Sequence, residues 1–180
     1  ILGGDALVPD LTSTATATRI DEAGIGITSD VLTKVLGGGP VSDALVATVN
    51  SVLGGLLGVT IHLGKSDIES LMRGNVDAGL FFDRLAEKEN FTGTYGALVA
   101  GSHGLKNIAE AAAEATENAA TAASLRLFAA SASNSYRVPF SGLFGLGVWE
   151  NMPVGEADAK PALRAGLNAY QLITFAAQSG

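Results

Sequence analysis

The sequence predicts a mixed α+β fold that is mostly helical, with a small β-sheet, glycine-rich connections and a candidate short helical repeat. Apolar residues recur at helical spacing behind residues that favour helix starts. Short runs of alternating residues indicate a few strands. The 23 glycines among 180 residues separate these segments, because glycine ends helices and forms turns.

Three segments predict the sheet: residues 12–28, 59–63 and 136–140. The first contains a run of alternating threonines and small residues at 12–18 and a second alternating run at 24–28. The second alternates Val, Ile and Leu with Thr and His. In the third, Pro139 cannot donate a ladder hydrogen bond, which favours an edge position.

A helix is predicted to start at Ser42 or Asp43, with Leu45, Val49, Val52 and Leu56 on one buried face. Nothing is charged between Asp43 and Lys65, so this stretch is also a candidate membrane span. Its glycines, Asn50, Ser51 and His62 instead favour a helix, a turn and a strand.

Two further helix starts and stops are predicted before residue 101. A capping box at Ser66 and Glu69 would start a short helix that Gly74 ends. Asp77 would cap the next helix, whose inward residues are Leu80, Phe81 and Leu85 and whose outward residues are Asp83, Arg84, Glu87 and Lys88. Thr94 would cap a short turn of helix from Tyr95 to Ala100 that Gly101 ends.

The second half predicts one long alanine-rich helix over 105–132, with Glu110, Glu114 and Glu117 on one face. Residues 142–153 form a glycine-rich loop that holds Trp149, the single tryptophan. Pro161 would open a last helix, because a missing amide is harmless in the first turn. The residues lining one side of that helix are Leu163, Leu167, Tyr170 and Thr174.

An internal repeat is suggested at an offset of 27 residues, where 71–76 align with 98–103 and Phe81 with Ile108. A looser match places 137–139 over 75–77 and 142–144 over 79–81. Each unit would be a short helix, a glycine stop, a cap and a longer helix. The alternative is that unrelated helix ends share Gly, Asn, Asp and Ser. We expect a single domain over 1–180, with 1–104 and 105–180 as a candidate subdivision.

Composition excludes several classes of function. The chain has 11 basic and 18 acidic residues and a formal net charge of −7, and its basic residues are scattered singly, which argues against nucleic acid and against docking on anionic lipid. With no Cys, it has no disulfide, zinc–thiolate site or thiol nucleophile. Charged residues are only 16% of the chain, so we expect a surface rich in Gly, Ala, Ser and Thr and a core of Ala, Leu, Val and Ile.

The strongest candidate for chemistry is residues 100–104, which resemble a nucleophile elbow around Ser102. An elbow needs a preceding strand and a separate histidine base, whereas the residues before Ser102 predict a helix. His103 follows Ser102 directly and cannot reach back to its hydroxyl. The favoured interpretation is a glycine stop followed by a serine cap, and a serine hydrolase using Ser102 stays as a minor alternative.

Other candidate sites have ordinary structural explanations. His62 with Asp67 could supply half a metal site, yet the chain has only two histidines, and His62 is expected on an exposed strand face. Glu110 and Glu114 could act as acid and base, but their spacing favours a solvated helix face. Residues 37–40 lack the Lys and Thr of a phosphate loop. Residues 90–92 match a glycosylation signal, which matters only in a eukaryotic secretory context. We predict no catalytic, metal or cofactor site.

The order of several motifs resembles the C-terminal region of TadG-like proteins of the Tad (tight adherence, Flp) pilus system. The resemblance spans nearly the whole chain, although each motif is short, and the alanine-rich stretch near 109–132 departs from it. The segments that carry it are 14–18, 23–29, 52–63, 67–71, 75–77, 82–86, 94–98 and 167–178.

The resemblance implies a non-enzymatic component of a bacterial pilus or adhesion apparatus, exported to the periplasm or cell surface and anchored by an upstream membrane helix. It would act in pilus assembly or surface attachment by contacting other pilus-assembly or envelope proteins, or further copies of itself. The alternative from another class is a self-assembling structural subunit of an extracellular filament or coat, which the Ala, Gly and Thr content favours.

Overall fold

A computed structural model describes residues 41–155 and 166–179, and it has the predicted mostly helical α+β fold. The helices are α1 Asp43–Leu57, α2 Lys65–Arg73, α3 Ala78–Lys88, α4 Tyr95–Val99, α5 Leu105–Glu114, α6 Ala119–Ser131 and α7 Ala169–Ser179. The strands are β1 Asn75–Asp77, β2 Ser102–Gly104, β3 Arg137–Pro139 and β4 Gly166–Asn168, and a 3₁₀ helix spans Gly147–Asn151.

The strands form two antiparallel pairs. β1 pairs with β4, with Val76 opposite Leu167, and β2 pairs with β3, with His103 opposite Val138. The strand predicted at 136–140 is therefore confirmed, whereas residues 12–28 lie outside the described part of the chain. Three of the strands, β1, β2 and β4, run directly into helices α3, α5 and α7.

The strand predicted at 59–63 is wrong, because these residues join no ladder. The side chain of Asn50 takes the place of a neighbouring strand. Its Nδ2 donates to the carbonyl of Leu63 at 2.8 Å, and the Leu63 amide donates to its Oδ1 at 2.9 Å. This satisfies both backbone groups of Leu63, so the segment is extended and fixed without pairing.

The segments aligned at an offset of 27 residues adopt the same succession of structures. In each, a short helix ends at a glycine, a three-residue strand follows, and a longer helix begins at once: α2–β1–α3 and α4–β2–α5. The looser match holds for β3, but residues 142–144 lie in turns and irregular backbone rather than in a helix.

The long helix predicted over 105–132 is wrong and is two helices, α5 and α6, which pack against each other. Asn118 ends the connection, because its Oδ1 accepts the amides of Ala120 and Thr121, each at 3.0 Å. Glu117 consequently lies in the connection and not on a helix face. The buried alanines of both helices allow close approach, and this packing outweighs the preference of an alanine-rich chain to continue as one helix.

The predicted capping box at Ser66 and Glu69 is also wrong. Helix α2 begins at Lys65, and Oδ2 of Asp67 accepts the amide of Gly64 at 2.8 Å. The other oxygen, Oδ1, accepts the hydroxyl of Ser124 on α6 at 2.9 Å. A contact between two helices thus selects the residue that caps the helix. The caps predicted at Asp77 and Thr94 are confirmed.

Asp83 was predicted to point outward, but it is buried. Its Oδ1 accepts the hydroxyl of Tyr95 at 2.6 Å and the amide of Gly155 at 2.7 Å. These bonds compensate the burial of a carboxylate and hold the segment after the 3₁₀ helix against α3 and α4. Phe81 and Leu85 are buried as predicted, and Leu80 is half-buried.

The predicted last helix is wrong at Leu167, which lies buried in β4. Helix α7 begins only at Ala169, where Oδ1 of Asn168 accepts the Gln171 amide at 3.1 Å. Tyr170 and Thr174 are buried on α7, as expected. Pro161 and Leu163 lie outside the described residues.

The core uses more aromatic side chains than the composition suggested. Phe82 and Phe144 have ring centroids 5.1 Å apart, and Phe140 and Phe144 lie 5.2 Å apart. Tyr95 is fully buried, with the edge of the half-buried Trp149 beside it. Phenylalanines therefore fill the centre, while alanine and leucine supply the helix contacts around it.

Candidate interaction surface

The outward face of α1 and the residue that follows it carry three large apolar side chains in contact with solvent. Val52, Leu56 and Val59 are 40%, 41% and 39% exposed. The spacing of four and then three residues places them on one side. The prediction that Val52 and Leu56 are buried is therefore wrong.

The buried side of α1 consists of Val49 and Leu53. Helix α1 is apolar on both sides, so the spacing of its leucines and valines cannot say which side faces the core. Short side chains fill the rest of the outward face; they are Ala44, Ala47, Thr48, Ser51 and Gly55. We call this outward side, together with Val59, the α1 face.

The α1 face has no charge. No Asp, Glu, Lys or Arg occurs between Asp43 and Lys65, although the chain as a whole carries a net charge of −7. Such an apolar and uncharged surface on an acidic chain is typical of a contact surface, because exposed apolar area gains free energy when another molecule covers it.

A groove of about 270 Å³ adjoins the end of the α1 face. Its apolar lining is Leu57, Val59, Leu105, Ala132 and Tyr136, and its polar lining is the serines 131, 133 and 135. Val59 belongs to both the face and the groove. The exposed apolar surface therefore continues from a convex helix into a concave site that can take an apolar side chain.

Local bonds fix α1 in place. The hydroxyl of Ser42 accepts the amide of Leu45 at 3.2 Å and caps the start. Gly58 ends the helix in the left-handed region, with a φ of 66°, a conformation that glycine adopts without strain. Together with the two bonds of Asn50 to Leu63, these contacts present the α1 face on a rigid support.

The candidate nucleophile Ser102 lies exposed at the start of β2 and is not the helix cap that was predicted. Gly104 occupies the cap position of α5 instead. The ring of His103 is 4% exposed; its Nε2 bonds to the carbonyl of Leu98 at 2.8 Å, and its Nδ1 has no hydrogen-bond partner. Neither ring nitrogen is therefore bonded to the Ser102 hydroxyl.

Burial lowers the pKa of His103, although the Leu98 carbonyl and Glu89 favour its charged form. Glu89 accepts the amide of Gly104 at 2.9 Å and the side chain of Asn107 at 3.0 Å. Partial burial raises the pKa of Glu89, but these bonds and the charge of Arg137 outweigh it and lower the pKa overall. The cluster joins α3, β2, β3 and α5, which is a structural role.

The remaining candidates also take part in local structure. His62 is exposed, as expected, while Asp67 caps α2. Glu110 and Glu114 lie 3.6 and 2.7 Å from Nζ of Lys88, so a lysine from α3 bridges them. Over 41–155 and 166–179, no group of three or more His, Cys, Asp or Glu side chains could hold a metal ion. In the same ranges, no helix has the length and apolar character that crossing a bilayer requires.

These observations define a mostly helical α+β domain with an uncharged apolar face. The profile of a family described as a domain of unknown function (DUF8293) matches residues 46–178, and the chain belongs to that family. No curated protein and no solved structure matches the chain. The match begins within α1 and ends within α7, so it covers both strand pairs and their helices.

Proposed function

We propose that this chain is a non-enzymatic component of a bacterial Tad/Flp-type pilus or adhesion apparatus, acting in pilus assembly or surface attachment through protein contacts. The observation that carries the proposal is the α1 face, where Val52, Leu56 and Val59 are exposed without a charge beside them. A surface of this kind gains free energy by contact with another apolar surface and offers no group for catalysis.

The segments that carry the resemblance support the same proposal. Residues 75–77 and 82–86 lie in β1 and α3, 94–98 in the start of α4, and 167–178 in β4 and α7. They are thus the segments that form one strand pair and much of the core. A resemblance located in fold-determining segments favours a common architecture.

Under this proposal the chain works in the cell envelope, on the periplasmic or extracellular side, with pilus-assembly or envelope proteins as partners. A membrane anchor upstream of these residues is part of the proposal. Neighbouring genes for a secretion ATPase and a prepilin peptidase would support it.

The test is complementation of a deletion strain of the bacterium that encodes the chain. We expect deletion to reduce surface pili, counted by electron microscopy, and the wild-type gene to restore them. Leu56→Glu should fail to restore them, because it places a charge in the apolar face. Leu127→Glu is the matched control, since Leu127 on α6 is exposed to a similar degree, 43%, but lies outside that face. Normal piliation of the deletion strain would overturn the proposal.

The minor alternative, a hydrolase using Ser102, predicts a different result. Ser102→Ala would then fail in the same complementation, and the purified wild-type chain would cleave ester or peptide substrates in a broad screen. Restoration by Ser102→Ala, together with a negative screen, contradicts that alternative.

A further inference from the structure

We infer that the partner covering the α1 face is a second copy of this chain. The inference rests on the proposed function in one respect, namely that the α1 face is a protein contact surface, and it adds the identity of the occupant.

Electrostatics favours a second copy at this surface over any other part of the described surface. Two chains that each carry a net charge of −7 repel one another. The stretch between Asp43 and Lys65 contributes no charge, so contact through it buries no carboxylate and leaves the acidic groups of both copies in solvent. Such a contact avoids the desolvation of unpaired charges, which costs several kcal/mol in an interface.

The shape of the surface is suited to pairing with itself. Val52 and Leu56 project from α1, whereas Ala47, Ser51 and Gly55 are short and let a second helix approach. The groove beside Val59 offers space for an apolar side chain of the other copy. A surface that has both projecting side chains and a groove meets the requirement of a two-fold contact, in which the same patch serves on both partners.

The principal competitor is a lipid surface, which also covers apolar helices. Helices that lie on membranes carry Lys and Arg beside the apolar face to meet anionic headgroups. Helix α1 has neither residue, and its first turn holds Asp43. A bilayer is therefore a poorer partner than an uncharged protein surface.

The experiment is sedimentation velocity on the purified full chain from low to high micromolar concentration. We expect a reversible monomer–dimer equilibrium, which is weak because one helix face gives an interface at the small end of the known range. Added salt should leave the association constant unchanged or increase it, since it screens repulsion between the acidic chains.

Two substitutions in the face and one outside it test the location. Leu56→Glu and Ser51→Glu should each weaken association by more than about a hundredfold, because a two-fold contact brings two carboxylates together. Leu127→Glu should associate like wild type. Ser51 is an exposed polar residue, so its substitution keeps the test valid if Leu56→Glu fails to fold.

Three results would overturn the inference: a monomer at every concentration, equal weakening by Leu127→Glu, or binding of the wild type to phosphatidylcholine–phosphatidylglycerol vesicles in place of dimerisation. Its failure is distinguishable from failure of the proposed function. If the purified chain is monomeric while Leu56→Glu still abolishes piliation, the α1 face binds a different protein and the proposed function stands.

Discussion

Two adjacent glycines in the last turns of α1 should respond to alanine with opposite changes in stability. Both lie in the helix, where alanine is favoured over glycine by about 1 kcal/mol. They differ in their surroundings. A Cβ on Gly54 would lie 2.7 Å from the carbonyl oxygen of Val59, whereas a Cβ on Gly55 would meet nothing within 4 Å.

The contact at Gly54 cannot relax by a side-chain rotation, because the opposing atom belongs to the backbone. The Gly54 carbonyl also accepts the amides of Gly58 and Val59, which close the turn after α1. Forcing extra volume into such a site costs about 1–3 kcal/mol. We therefore expect Gly54→Ala to lower the free energy of unfolding by about 1–2 kcal/mol, after the gain in helix propensity.

Gly55→Ala should instead raise the free energy of unfolding by about 0.5–1 kcal/mol. Urea titrations followed by circular dichroism measure both variants. They are run at a protein concentration low enough to keep the chain monomeric, because association would add to the apparent stability. Changes of the same sign in the two variants would refute the placement of the turn against Gly54.

Two further predictions concern the cap of α2 and the buried histidine. Asp67→Ala should lower the free energy of unfolding by about 2 kcal/mol, since it removes a helix cap and a bond to Ser124, while Ser66→Ala should change it by less than about 0.5 kcal/mol; equal effects in thermal melts would restore the Ser66 cap. Burial lowers the pKa of His103, so the unfolded chain binds the proton more readily, and stability should fall as the pH drops below about 6.5. His103→Gln should reduce that slope and His62→Gln should not.

The sequence predicted the parts of the fold that depend on neighbouring residues. Asp77 and Thr94 cap helices as expected, because their side chains bond to amides three residues ahead. The strand around Pro139 was also found from its own residues. By contrast, Asp67 rather than Ser66 caps α2 because Ser124, distant in the chain, binds the same carboxylate.

The candidate surface was missed for a comparable reason. Helix α1 has apolar residues on both sides, so periodicity alone allowed Val52 and Leu56 to be buried. Only the packing of Val49 and Leu53 against the core decides the orientation. The absence of charge between Asp43 and Lys65 was visible in the sequence and was the available signal, although it was considered there as evidence for a membrane span.

Strands β1, β2 and β4 are too short for alternation to reveal. Each has three residues and gains its order from a partner far along the chain. The repeat at an offset of 27 residues was the one signal that aligned β1 with β2, before either was known to be a strand.

The two strand pairs are nested, and this arrangement sets the order in which a chain leaving a ribosome or an export channel can complete its fold. β2 and β3 lie between β1 and β4 in the chain, so the inner pair closes a shorter loop and loses less entropy on closure. β1 emerges early and has to wait for β4, near the described end. The N-terminal strand is thus secured by nearly the last residues delivered, and an interrupted chain keeps its inner pair while β1 has no partner.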